Sequence, residues 1–119
     1  MEIVTKRIYD EASPEDGYRA LVDRLWPRGM SKQRAALDEW DKDVAPSNEL
    51  RIAFHHDGLP FADFEVRYRA ELDASDAPAA LLARAEGAPR LTLLGATRDQ
   101  EHDQAVVLAD YLRRIQAGA

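Results

Sequence analysis

The sequence predicts a small α/β domain of two or three layers, with a short, mostly parallel sheet flanked by helices. Strand-like runs alternate with helical stripes, and the chain closes on a strand–loop–helix unit, the order expected of a sheet covered by helices. Two of the runs, Ala20-Leu21-Val22 and Leu91-Thr92-Leu93-Leu94, are almost continuously apolar, as strands buried on both faces are. The 119 residues are 45% hydrophobic and 32% charged. A chain of that size buries roughly two thirds of its unfolded surface, so residues 1–119 are expected to form a single domain.

Residues 3–9 are rich in β-branched side chains and predict a first strand, followed by a loop over 10–17. Residues 18–25 predict a second strand, ended by Pro27 and Gly29. A short turn or helix follows Ser31, and 37–44, with Leu37, Trp40 and Val44 among charges, suits either an edge strand or an extended arm. Ser47 after Pro46 is an N-cap, with Glu49 in the first turn, where the helix dipole favours an acid, and Leu50 and Phe54 share the apolar face. Residues 57–60 break that helix. Phe61, Phe64, Tyr68 and Leu72 then recur at helical spacing. Asp76 is expected to cap a third helix with Pro78 in its first turn and Gly87 at its end. Residues 90–96 predict a buried strand, and Ala105, Leu108, Leu112 and Ile115 mark a long final helix.

Some chemistries are excluded and others disfavoured. Without cysteine there is no disulfide, thiolate nucleophile or thiolate metal site. No Gly-rich dinucleotide or P-loop fingerprint occurs, and Ser13, Ser31, Ser47 and Ser75 lack a nucleophile-elbow context. His55 and His56 are adjacent, so on a helix they project about 100° apart and share a metal poorly. No metal and no cofactor are expected. No window approaches the roughly 18 apolar residues of a spanning helix, and the first residues are too polar for a signal peptide, so a cytoplasmic protein without membrane contact is expected.

Charge is unevenly placed on a chain whose formal net charge is −6. Residues 24–34 carry Arg24, Arg28, Lys32 and Arg34 and no acid, while residues 38–43 reverse the sign with Asp38, Glu39, Asp41 and Asp43. A local anion site is therefore compatible with an acidic protein, although such runs also form loose surface pairs. In parallel sheets ligands bind beyond the carboxyl ends of the strands. Two loops qualify, 23–29 after the second strand and 97–102 before the last helix, and they share a rim if those strands are parallel neighbours. In the first, Arg24 and Arg28 flank Trp26, a set suited to an anionic or aromatic ligand, with Asp23 orienting Arg24 or acting as a base. The same residues also suit a structural account, with Trp26 in the core and the arginines paired to Asp23 or the acidic segment. In the second, Arg98 and His102 open the last helix, where free N–H groups attract anions and His102 is a candidate acid or base. Asp99 is expected to be that helix's N-cap.

Lys6-Arg7-Ile8-Tyr9-Asp10, Leu21-Val22-Asp23-Arg24-Leu25-Trp26-Pro27-Arg28-Gly29, Glu49-Leu50-Arg51, Arg98-Asp99 and Glu101-His102 resemble the YeaO-like branch of domain-of-unknown-function family 488, and the resemblance runs over almost the whole chain. It implies a small bacterial α/β protein and assigns no reaction. Lys42 and His56 join the candidate ligand-binding residues through it. More distant branches carry a cysteine where this chain has Gly95 and another close to His102, so thiol chemistry does not carry over. Closer relatives often have Asn where Asp103 follows His102.

The leading expectation is a site for an anionic small molecule or nucleotide-like group, binding or catalytic, in a monomer or homodimer. The alternatives are a nucleic-acid-associated regulator, against which the negative charge argues, and an interaction module docking through an exposed Trp40.

Overall fold

A computed structural model describes residues 1–118. Four strands, β1 (Glu2–Arg7), β2 (Tyr18–Leu21), β3 (Glu39–Trp40) and β4 (Arg90–Gly95), form one sheet in the order β1-β4-β2-β3. Every pairing is parallel. Five helices accompany them: α1 (Lys32–Ala35), α2 (Asn48–His55), α3 (Phe61–Asp73), α4 (Ala77–Ala85) and α5 (Gln104–Gln116).

Side-chain alternation divides the core in two. Ile3, Ala20, Val22, Leu91 and Leu93 face the helical layer and meet Leu50, Phe64, Tyr68, Leu81 and Leu108. Leu21, Leu94 and Ile8 face the other way, against Met30 and Ala35 from the long β2–β3 connection, with Trp26 and Trp40 packed at the margin. The central strands are therefore buried on both sides, as their unbroken apolar runs require. Buried ionic contacts anchor the thinner layer: Asp16 meets Lys6 and Arg19, and Arg19 donates to the carbonyls of Ala35 and Ala36.

Local signals account for most boundaries. Ser47 Oγ accepts from Leu50 N and so caps α2, while the Glu71 carboxylate accepts from Ser47 N and Oγ and ties that cap to α3. Three expectations change. The second strand ends at Leu21, not residue 25, because after Val22 N bonds Leu94 O the chain turns and Asp23 uses its side chain on the neighbouring strand's exit. Asp76 makes no cap hydrogen bond, and Ser75 Oγ accepts from Ala77 N instead. The N-cap of α5 is Asp103, not Asp99, because the 97–102 loop makes a turn of its own before the helix starts. Of the two alternatives for 37–44, the edge strand forms, reduced to Glu39–Trp40.

Among the described residues no helix is long and apolar enough to cross a membrane.

Candidate functional site

Because β2 and β4 are parallel neighbours, the loops leaving them emerge on one rim of the sheet. Between them and α2 lies a cleft of about 330 Å3, whose walls include Asp23, Arg24, Trp26, Arg28, Arg51, His55 and Gln104.

Asp23 forms its floor. Its Oδ2 accepts from Ala96 N at 2.8 Å and its Oδ1 from Gln104 Nε2 at 2.6 Å, so one carboxylate joins the ends of β2 and β4 to the start of α5. Gly95 lies directly against the carboxylate: a Cβ there would stand 3.4 Å from Asp23 Oδ1, an ordinary van der Waals contact. Burial pushes the Asp23 carboxyl up to about 6, against the stabilising Ala96 N–H, and the charge of Asp103 adds to the rise. Asp23 does not pair with Arg24: Arg24 Nε donates to Pro46 O at 2.8 Å, so the arginine braces the entrance to α2.

The walls are cationic. Arg24 and Arg28 come from the loop after β2, and the Arg28 side chain is exposed with no hydrogen-bond partner among the described residues. Arg51 and His55, four residues apart, lie on one face of α2. Arg51 gives one terminal nitrogen to Asn48 Oδ1 at 2.6 Å, while its Nε is buried without a partner. Burial, the charge of Arg51 and neighbouring His56 hold His55 below the usual imidazole range.

Aromatic side chains fix the loop. Trp26 Nε1 donates to Met30 O at 2.7 Å, and its ring meets Trp40 edge-on, with centroids 5.3 Å apart. Trp40 is half-buried rather than exposed, donates through Nε1 to Asp23 O and carries the Lys42 ammonium 4.0 Å above its ring. The Trp26 indole packs inward against the smaller core cluster and also borders the cleft. Tyr9 lines the opposite side and its hydroxyl donates to Arg28 O at 2.8 Å.

The expected residues separate into two sets. Asp23, Arg24, Trp26 and Arg28 line the cleft, whereas Lys42, His56, Arg98, Asp99 and His102 do not. His56 is the exposed C-terminal cap of α2, and Arg98 is exposed in the loop after β4. Asp99 Oδ1 accepts from the backbone N of Glu101 and His102, and Oδ2 meets His102 Nδ1 at 3.1 Å, which makes this trio a self-contained turn. His102 stands edge-on to Phe61, and Phe61 and His55 both pack on Phe54, so an aromatic row separates His102 from the cleft. Sequence reasoning missed Arg51, His55, Tyr9 and Gln104 as cleft residues. The four-residue spacing of Arg51 and His55, beside a core face carried by Leu50 and Phe54, was the available signal for the first two.

The fold and cleft define a small parallel α/β domain with a guanidinium-lined pocket at the carboxyl rim of its sheet. The chain belongs to the family described as DUF488-N3i, the inactive DUF488-N3 subclade, whose model matches residues 2–117. It is similar to the uncharacterized protein YeaO of Escherichia coli, 48% identical over 115 residues that span 97% of this chain and 100% of the relative. It is also similar to the uncharacterized protein Rv3073c of Mycobacterium tuberculosis, 43% identical over 106 residues, 89% of each chain. No solved structure matches the chain.

Proposed function

We propose that this protein is a binding domain for an anionic small molecule, held without chemical conversion in the cleft at the carboxyl rim. One observation carries the reading: Arg24, Arg28 and Arg51 reach the same cleft from two separate segments, and Arg51 keeps a buried guanidinium N–H unpartnered. A buried donor left unsatisfied costs about 1–3 kcal/mol, a cost that an anion drawing the Arg51 side chain into the cleft would relieve. Guanidinium groups suit carboxylate and phosphate oxygens through planar paired hydrogen bonds.

Binding without turnover is favoured over catalysis by three features. Asp23, the candidate base, has both oxygens engaged in holding the rim together. His102, the candidate acid or base, lies outside the cleft. The family description is that of an inactive subclade.

The test is a thermal-shift panel of phosphate, sulfate, sugar phosphates, nucleotides and dicarboxylates on the wild type, Arg28→Ala and Arg51→Ala. A ligand present at about 100 times its Kd adds about 2.7 kcal/mol, a rise of several degrees in a domain of this size. The expected result is stabilisation by one class of anion and its loss in both variants. A panel in which no anion raises the Tm of the wild type overturns the proposal.

A further inference from the structure

Gln104, the first residue of α5, is 94% buried by its 6% exposure, yet it borders the cleft. Its amide has one workable orientation. Nε2 donates to Val22 O at 3.1 Å and to Asp23 Oδ1 at 2.6 Å, and both of those atoms are acceptors. The two amide hydrogens are thereby consumed, and Oε1, which accepts from no group among the described residues, is the hydrogen-bonding function Gln104 has left. The floor of the cleft, Gln104 with the Asp23 carboxylate, therefore accepts hydrogen bonds. Its walls, the guanidinium groups of Arg24, Arg28 and Arg51, donate them.

A simple dianion answers only the walls. Sulfate and dicarboxylates carry no donor for the floor, and a volume of about 330 Å3 is more than a lone sulfate fills. The rings of Trp26 and Tyr9 border the same space and provide flat apolar surface for a planar group. We infer that the cleft takes a two-ended ligand, a planar ring whose N–H meets Gln104 Oε1 and an anionic group held by Arg24, Arg28 and Arg51, which is the make-up of a nucleoside monophosphate. This rests on the anion-binding reading above and adds to it the identity of the other end.

Calorimetric titration of the wild type separates the two. The probes are the four common ribonucleoside 5′-monophosphates, purine riboside 5′-monophosphate (a ring without an N–H), ribose 5-phosphate and sulfate. At least one of the four nucleotides is expected to bind about tenfold more tightly than purine riboside 5′-monophosphate and ribose 5-phosphate, the worth of one added hydrogen bond. Gln104→Leu is expected to bring that nucleotide down to the level of purine riboside 5′-monophosphate, while the affinity for ribose 5-phosphate stays unchanged. If none of the four exceeds the two references, or if Gln104→Leu folds and keeps the preference, the inference falls while anion binding stands. If nothing binds, sulfate included, both fall. Should Gln104→Leu fail to fold, the ligand comparison on the wild type decides alone.

Discussion

The carboxyl and amino rims of the same four strands both carry a depression, and size and chemistry run in opposite directions between them. At the amino rim a hollow of about 630 Å3 is bordered by Met1, Leu82, Gly87, Pro89 and Gln116, with Glu86 its one ionised side chain. At the carboxyl rim the space is about 330 Å3, and three guanidinium groups, a histidine and a half-buried carboxylate surround it. The larger hollow has room but no convergent polar groups to orient a ligand, and orientation is what distinguishes a site from a surface dent. The difference follows from parallel strands. All four leave by one edge, where the loops after β1, β2 and β4 line the cleft together with α2 and the start of α5, whereas the hollow at the opposite edge is bordered by the strand entries and the ends of α4 and α5.

The largest way to break this contrast is to remove the scaffold of the carboxyl rim. Trp40 packs edge-on against Trp26, donates to Asp23 O and carries Lys42 over its ring. Trp40→Ala is expected to destabilise the fold by about 3 kcal/mol, the lower end for removing a large aromatic because this one is half-buried. Thermal unfolding should show a Tm fall on the order of 10 °C. A loss below about 1 kcal/mol would mean that the indole pair does not hold the rim.

Asp23 sharpens the contrast through pH. Its folded-state pKa, about 6, lies above the ordinary value of 3.8, so between those values the native state binds a proton that the unfolded chain has released. Its contribution therefore favours folding at low pH and is lost as pH rises from about 4 through about 6, a change of at most about 3 kcal/mol at 1.36 kcal/mol per unit. Asp41 and Asp103 are also raised by burial, so the slope of the wild type alone does not isolate Asp23. The difference between Asp23→Asn and wild type does. Denaturant titrations at pH 4, 5.5 and 7 should show the variant gaining about 2 kcal/mol on the wild type across that interval. A pH-independent difference would show that the carboxylate is better solvated than its burial implies.

What the sequence made legible was local or periodic. Ser47 announced its helix because an N-cap needs only the residues that follow it, and the Phe64–Tyr68–Leu72 stripe because one helix face repeats at a fixed period. The continuous apolar runs of β2 and β4 announced burial on both faces, and the shared rim depended on the further condition that these strands be parallel neighbours, which they are; Asp23, Arg24, Trp26 and Arg28 line the cleft there. What could not be read was set by partners far along the chain. Asp23 finds Ala96 and Gln104, 73 and 81 positions away, and no local pattern says that it will bond these rather than adjacent Arg24. The early end of β2 has the same cause. Asp99 and Asp103 are equally good caps by type, and the choice fell to Asp103 because the intervening residues close their own turn on Asp99.

The smallest effect on stability tests the comparison most directly. Leu82 at the amino rim packs against the main core, and Leu82→Ala is expected to lower stability by about 1 kcal/mol, less than a fully buried leucine because it is only half-covered. Arg28→Ala at the carboxyl rim is expected to change stability by less than about 0.5 kcal/mol, because the side chain is exposed and the bond from the Tyr9 hydroxyl goes to the Arg28 backbone carbonyl, which survives the substitution. The ranking should invert when an anion that stabilises the wild type is present: Leu82→Ala keeps the full ligand-induced rise in Tm and Arg28→Ala loses most of it. Parallel melts of the two variants, with and without that anion, read both orders. Equal loss of the ligand effect would mean that binding follows the stability of the whole fold and not the Arg28 guanidinium, and its disappearance only in Leu82→Ala would move the site to the rim with more room and fewer charges.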